Sequence, residues 1–585
     1  MKLYLYIFFG FLLSPSFLFS QNIDTILIAN NKFDSIIHGD ANSFDFLFYK
    51  HKDDVLMNNL GVYNSSFYFP IASGVYNENF FNCKKRIRLS KLSGTKPFSN
   101  VSYINASRKE QLFSIRHQQQ FGSAFDFGFY LNKTSSPGGY VNQGINTSEF
   151  DAFISFMNKT NTYRFNLNFE YTRFKQQENG GISNKSEFEE NLLISPLSAT
   201  LNIQNSRVQK TNFNYSFNQS LDIYKINDNK FYTLLNSKYS SSERMFYDKD
   251  PLALIYSDVF LDTLSTIDSI SSNSFDNEFG IGLRNKKHYL VVLASHSFNT
   301  YFQSFGLDTS YMNSFVGGAY QLKDSVFVLD FKVKYGVQGY RKGDFYNELQ
   351  FSFMPTKHVK YSFYGSYFLS EPDLKTVNYT SNHFEWRNYN FSKQTVSSLR
   401  GLVLFNKYQL ELLADIKLLD NAIYYNTFAV VTQHHNPSSM TTFSVSKKYR
   451  LYKFHFKTAL IYQTTSNDYL FPLPEFIGRQ MVYYETSAFK KVLKLQFGFN
   501  VSYNSAYYGY AYMPALTEFY IQNEQQIGNY PYVDVFLNMH LKRAQLFLKY
   551  EHFNSGWNGY DFYATHGYPA LTRSLKFGIS WNLVD

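Results

Sequence analysis

The adjacent His434 and His435 are the residues of this chain that most resemble a metal or proton-transfer pair. A zinc or related site needs further thiolate, imidazole or carboxylate ligands at close spacing. The surrounding TQHHNPSS supplies none, so the pair reads as part of a solvated loop. His117, in FSIRHQQQ, and His455, in FHFKT, fall between apolar residues and are expected on polar strand faces that line a cavity. The lone Cys83 has no second cysteine to pair with and does not stand at a lipid-attachment point. No GxSxG, HExxH or phosphate-binding glycine loop occurs. Gly138-Gly139 and Gly180-Gly181 read as turns, where only glycine relaxes the backbone freely. An enzyme would need a Ser/His or Asp/His pair at one rim of the fold. No catalytic, cofactor-binding or metal-binding residue is therefore expected.

Composition points elsewhere. Aromatics form 20% of the chain, with 50 Tyr and 62 Phe but only 3 Trp. Each buried Tyr hydroxyl needs a partner, so a soluble core has little use for so many. A barrel in lipid does, because such rings sit well at both membrane interfaces. Only 17% of residues are charged, yet the mean hydropathy is below zero. The polarity comes from Asn, Ser, Thr, Gln and Tyr, which suit a watery lumen. The formal charge is +10. A nucleic-acid partner would require a basic face, and Lys84–Arg88 (KKRIR) is the one dense cluster.

The elements that carry these residues alternate with period two, the mark of a strand with one apolar face. Leu575, Phe577, Ile579, Trp581 and Leu583 oppose Ser574, Lys576, Gly578, Ser580 and Asn582. Leu493–Tyr503, Tyr452–Tyr462 and Tyr163–Tyr171 repeat the pattern, and VFVLDFKVKY and YVDVFLNMHL follow it with exceptions. The segments have about ten residues or more, the length that a tilted strand needs to cross a bilayer. They continue over most of the chain, where a soluble sheet would have split into domains.

At the N-terminus, Lys2 precedes the apolar run Leu3–Phe19, and small residues cluster near Ser20. This predicts a secretory signal peptide over 1–20, with Gln21 as the new terminus. Pro15 and the short core disfavour the alternative, a membrane anchor helix. No later run approaches the ~18 apolar residues of a helical span, which excludes a polytopic helical protein. Residues 21–95 are expected to form a short extension, periplasmic or lumenal, and 96–585 the barrel.

Connections alternate in length. Short ones carry NKTNT, INDNK, NKK, KDS, PTKH, KKYR, KKVLK and LKRA; long ones fall near 175–206, 243–274, 370–394, 464–477, 504–529 and 554–570. This is the outer-membrane arrangement, with the short turns periplasmic. The fold expected is all-β, a transmembrane antiparallel barrel of about 22 strands, within a range of roughly 18 to 24.

Several strings resemble the putative-porin family of Bacteroidota outer membranes. They are TKPFSNVSYINASRKEQLFSIRHQQ, ENGGI, LDNAIYYN, YQTTSNDYLFPLPEF and YNSAYYGYAYMPALTEFYIQ, then IGNYPYVDVFLNMHLKRAQLFLKYEHFNSG and YPALTRSLKFGISWNLVD. The resemblance extends from about Gly61 to the C-terminus. It implies an exported outer-membrane barrel and passive permeation; it carries no substrate and no functional residue.

The polar parity names the lumen. Arg164, Lys332, Lys334, Lys453, Lys457, Lys494, Lys549, Arg573 and Lys576 share it with Asp126, Glu170, Asp330, Asp534 and Glu551. Charged groups lining a pore bias which ion passes, and the cation excess implies a weak preference for anions unless cross-strand pairing cancels it. The function expected is a porin passing small hydrophilic solutes in contact with outer-membrane lipid. An energised, plugged transporter and a structural or secretion-associated barrel are the alternatives.

Overall fold

The computed structural model describes residues 97–190, 198–557 and 559–584. The expected signal peptide, the 21–95 extension, Cys83 and Lys84–Arg88 lie outside the described residues. Twenty-two antiparallel strands form one sheet, from Phe98–Ala106 to Ser574–Val584. These two pair with each other, Phe98 opposite Val584 and Ala106 opposite Lys576, and close the sheet on itself. Closure removes every free strand edge, so apart from a few bulges the strand backbone groups pair without help from water. No described helix is long and apolar enough to cross a membrane.

Alternation survives intact in the last strand. Leu575, Phe577, Trp581 and Leu583 are about half exposed, while Ser574, Lys576 and Ser580 are buried. The exposed row is the lipid face and the buried row faces inward. On the lipid face aromatic rings meet across neighbouring strands: Phe169 with Tyr215 at 4.9 Å and Tyr171 with Phe213 at 5.0 Å between centroids. Such cross-strand pairs hold register.

Ten short turns join the strands at one end. The tightest include Asn227-Asp228 and Tyr452-Lys453, where Asn227 and Tyr452 take positive φ. Two further turns, at 122–124 and 406–409, were not among those expected from the sequence. The KKYR segment is not a turn: the strand Ser438–Leu451 runs through it and reverses only at Tyr452. At the other end, long loops span 179–205, 249–265, 371–393, 421–437, 466–475, 505–531 and 552–573. The loop at 421–437 was missing from the long connections expected, although His434, which it contains, was expected in a loop. Four connections at this end are shorter, at 107–109, 137–144, 304–307 and 340–344.

The strands Ser206–Ile226, Asn229–Asp248 and Thr266–Arg284 have 21, 20 and 19 residues. A tilted strand needs only about 9–11 to cross the bilayer, so these three project beyond it. At their short-turn end Asp222 accepts from Lys230 at 2.8 Å and pairs with Arg284, which ties the three together.

Candidate permeation pathway

The inner wall is built by the inward parity of each strand. Arg164, Lys332, Lys334, Lys457, Lys494, Lys549 and Lys576 all point inward, as do Asp126, Glu170, Asp330, Asp534 and Glu551. Lys453 lies instead in the turn Tyr452-Lys453, its ammonium 5.7 Å from the Tyr484 ring centre. It belongs to the rim because one strand stops at Leu451 and the next begins only at Phe454. Arg573 precedes the last strand, and its guanidinium donates to the Ser555 carbonyl at 2.7 Å. His455 faces inward, stacked on Tyr483 at 4.7 Å. His117 does not: it shares parity with exposed Phe113 and Phe121 and sits 5.7 Å from Phe129 on the outer face. Both parities are polar from Arg116 to Gln120, so only the flanking Phe residues fix the register. His434 ends a small hairpin, Ala422–Tyr425 with Val431–His434, in loop 421–437. No group of three metal-binding side chains occurs among the described residues.

Inward charges fall into two populations. Lys549 lies 3.0 Å from Asp534 and 2.9 Å from Glu551; Lys576 lies 2.8 Å from Glu551 and 3.6 Å from Glu110. Lys334 faces Glu278 at 3.8 Å. These alternating rows neutralise the wall near the loop end and at mid-height. Arg164, Lys457 and Lys494 stand within four residues of the short-turn ends of their strands. Asn and Ser fill much of the remaining wall and bond to one another, as Asn168 to Ser216 at 3.2 Å and Ser242 to Asn212 at 2.7 Å.

The loop end is not an open mouth. Loop 505–531 carries a hairpin in which Ala511–Met513 pairs with Glu518–Tyr520. Its tip, Pro514-Ala515-Leu516-Thr517, turns with Thr517 at φ +58°. Ala515 and Leu516 are fully buried. Arg244 Nε donates to Thr517 Oγ1 at 2.7 Å, and its Nη2 donates to the Ala515 carbonyl. Arg244 stands on the seventh strand, whereas loop 505–531 joins the nineteenth and twentieth. The contact therefore crosses the barrel close to its diameter.

Other contacts fix the crossing segment from several sides. Tyr512 donates to Glu178 on the fifth strand at 2.9 Å. Lys375 of loop 371–393 reaches Glu518 at 2.7 Å. Ile521 N–H donates to the Tyr425 carbonyl at 3.0 Å, and Tyr510 to that of Leu470 at 2.9 Å. Thr565 of loop 552–573 donates to the Tyr510 carbonyl. Around these bonds lies a buried apolar core made mostly of loop residues, including Phe384, Trp386, Tyr425, Met513 and Leu516, with a second around Leu470, Phe471, Tyr510 and Phe519. Burying side chains of this size stabilises by about 1.5–3 kcal/mol each, enough to hold the loops as one folded cap.

Histidines complete the cap. His552 Nε2 lies 2.9 Å from the Tyr530 hydroxyl, while Nδ1 meets the Leu571 carbonyl. Burial depresses its pKa to about 4. His566, beside Lys185 at 3.1 Å, is likewise pushed down to about 4 by burial and then by that ammonium.

A closed 22-strand barrel with a lipid face, a polar inner wall and a folded cap at its long-loop end defines an integral outer-membrane β-barrel. The chain belongs to the family described as Putative porin, whose model matches residues 90–585. No protein of curated function matches it by sequence. Among solved structures it is similar to the FrpB iron transporter from Neisseria meningitidis, with TM-score 0.57, 11% identity, and 84% of this chain against 82% of that one. It is also similar to a ferric enterobactin receptor mutant from Pseudomonas aeruginosa in complex with enterobactin (TM-score 0.58, 11% identity, 84% and 82% covered). A third is the siderophore receptor PirA from Acinetobacter baumannii (TM-score 0.57, 9% identity, 84% and 81% covered). At such identities the likeness is one of fold.

Proposed function

We propose that this barrel passes small hydrophilic solutes by diffusion, without catalysis, and that loop 505–531 sets the size limit. The observation that carries this reading is the Arg244 contact with Thr517 and Ala515. It lays a polypeptide across the mouth and so narrows the path left to a solute. A polar wall lowers the cost of moving hydrated molecules, and no chemical step is required. A weak anion preference would come from the excess of cations over acids on the inward parity, which the ion pairs of Lys334, Lys549 and Lys576 reduce. The short-turn end faces the periplasm in this reading, and the chain reaches the membrane after removal of residues 1–20.

Liposome swelling tests the size limit. Proteoliposomes should admit the smallest sugars and exclude disaccharides or larger ones; failure to admit any sugar would refute diffusion. A reversal potential favouring cations in a salt gradient would refute the anion preference.

The closed cap and the likeness to an iron transporter and siderophore receptors favour one second reading, uptake of a bulkier cargo held by the outer loops. That reading predicts saturable binding of a ligand by the intact protein and no swelling with any sugar.

A further inference from the structure

The geometry points to a binding site on the lipid-facing side for the phosphate-bearing headgroup of an outer-leaflet lipid, formed by Lys133, Arg173, Lys175 and Arg207. These four side chains share the outward parity of three strands, Phe125–Ser136, Tyr163–Glu178 and Ser206–Ile226. On the first two strands they follow directly on the apolar run. Outward Phe125, Phe127, Phe129 and Leu131 give way to Lys133. Phe165, Leu167, Phe169 and Tyr171 give way to Arg173 and Lys175. On the third strand, Arg207 stands past Phe213 and the neutral Thr211 and Gln209. The cations therefore stand where hydrocarbon ends and headgroups begin, at the long-loop end.

Their neighbours do not neutralise them. Lys133 is opposite Phe113 and Ser148; Arg173 is opposite Ser148 and Thr211. Lys175 is opposite Asn146 and Gln209, and Arg207 opposite Gln177 and Tyr247. No carboxylate occupies any of these positions; the nearest outward acid in the register is Glu243, one strand beyond Thr211. Lys133, Lys175 and Arg207 are exposed. Arg173 is held upright by a 3.1 Å bond to Gln209, and Arg207 lies 4.8 Å over the Tyr247 ring. A planar guanidinium fixed in this way presents its fork to phosphate oxygens.

The patch is confined to one sector. On the other strands the outward residues near the long-loop end include no cation: most are neutral or apolar, such as Asn105, Gln111, Ile267, Thr395, Ser439, Thr464, Tyr503 and Leu575, and a few are acids, such as Glu243, Asp308 and Asp420. Four cations within three interstrand spacings of about 4.8 Å match a headgroup carrying more than one phosphate. Each cation near an anionic surface adds about a factor of five in affinity.

The test uses the detergent-solubilised full chain and diphosphoryl lipid A as probe, with retained lipid counted by native mass spectrometry. The wild type should retain it, and its dephosphorylated form should bind about tenfold or more weakly, as should the variant Lys133→Gln, Arg173→Gln, Lys175→Gln and Arg207→Gln. The control Lys447→Gln, an outward cation at the short-turn end, should bind like wild type. Heat-modifiable migration on gels confirms that each variant is folded. Equal retention by the quadruple variant would overturn the proposal. So would equal competition by inorganic phosphate, which would mean a free-anion site rather than a lipid one.

Discussion

Arg244 and Thr517 are 273 positions apart in sequence, and the loop that carries Thr517 is rooted on the wall nearly opposite Arg244, yet Arg244 Nε and Thr517 Oγ1 are 2.7 Å apart. Arg244 is buried, and so are Thr517 and the Ala515 carbonyl it also holds. Replacing Arg244 by Ala leaves two buried polar groups without this donor, which costs about 1–3 kcal/mol of cap stability. Limited proteolysis should then cut within 505–531 while the barrel stays heat-modifiable. Resistance equal to wild type would show that the crossing does not depend on Arg244.

Tyr512→Phe removes the hydroxyl that donates to Glu178, a fully buried carboxylate. Gln176 still donates to the same carboxylate at 3.0 Å. The effect on protease resistance should have the same direction as Arg244→Ala and be smaller, at about 1 kcal/mol. An effect larger than that of Arg244→Ala would place the main anchor on the fifth strand.

Gly181 joins two loops at close quarters. Its φ is +82°, and a Cβ there would lie 2.7 Å from the Gly567 carbonyl oxygen, to which Ile182 N–H donates. Gly567 itself has φ +76° but open space around its missing Cβ. Gly181→Ala should therefore loosen the cap more than Gly567→Ala, which carries only the backbone cost of roughly 1 kcal/mol. Melting of the purified barrel with protease nicking as readout would show the difference; equal effects would remove the packing argument.

The cap should weaken in acid. An ordinary imidazole titrates near 6.5, whereas His552 and His566 in the folded cap stay neutral down to about 4. Between these values a detached loop binds more protons than the docked one, so stability is full above about 6.5 and falls as pH drops toward 4. Channel openings should become more frequent from pH 7 to pH 5. The double variant His552→Gln and His566→Gln should flatten that dependence; an unchanged pH profile would assign it to other groups.

The barrel was legible in the sequence because each strand repeats its own signal every two residues. Leu575 to Leu583 show which face meets lipid before any neighbour is known. Where both parities were polar, as from Arg116 to Gln120, His117 was assigned to the wrong face. Lys453 was placed on a strand for a related reason: the alternation of Lys453, His455 and Lys457 does not mark where the chain turns.

The cap was not legible, since its contacts join distant loops and leave no periodic trace. A signal was nevertheless present in AYMPALTEFY, within 505–531. Met513, Ala515, Leu516 and Phe519 are too apolar for a loop in water, and all are buried. Several strings that carry the family resemblance, including ENGGI, YLFPLPEF and this one, fold into the cap or its anchors rather than into the membrane-spanning wall.

Single-channel conductance of the purified barrel in planar bilayers tests the central claim most directly, measured beside a variant in which 508–526 is replaced by a short Gly-Ser turn. Tyr507 and Ile527 bridge to each other, so the replacement can join there without distorting the wall. The crossing loop predicts a small conductance for the wild type and a severalfold larger one for the variant. Equal conductances would contradict a size limit set by residues 505–531.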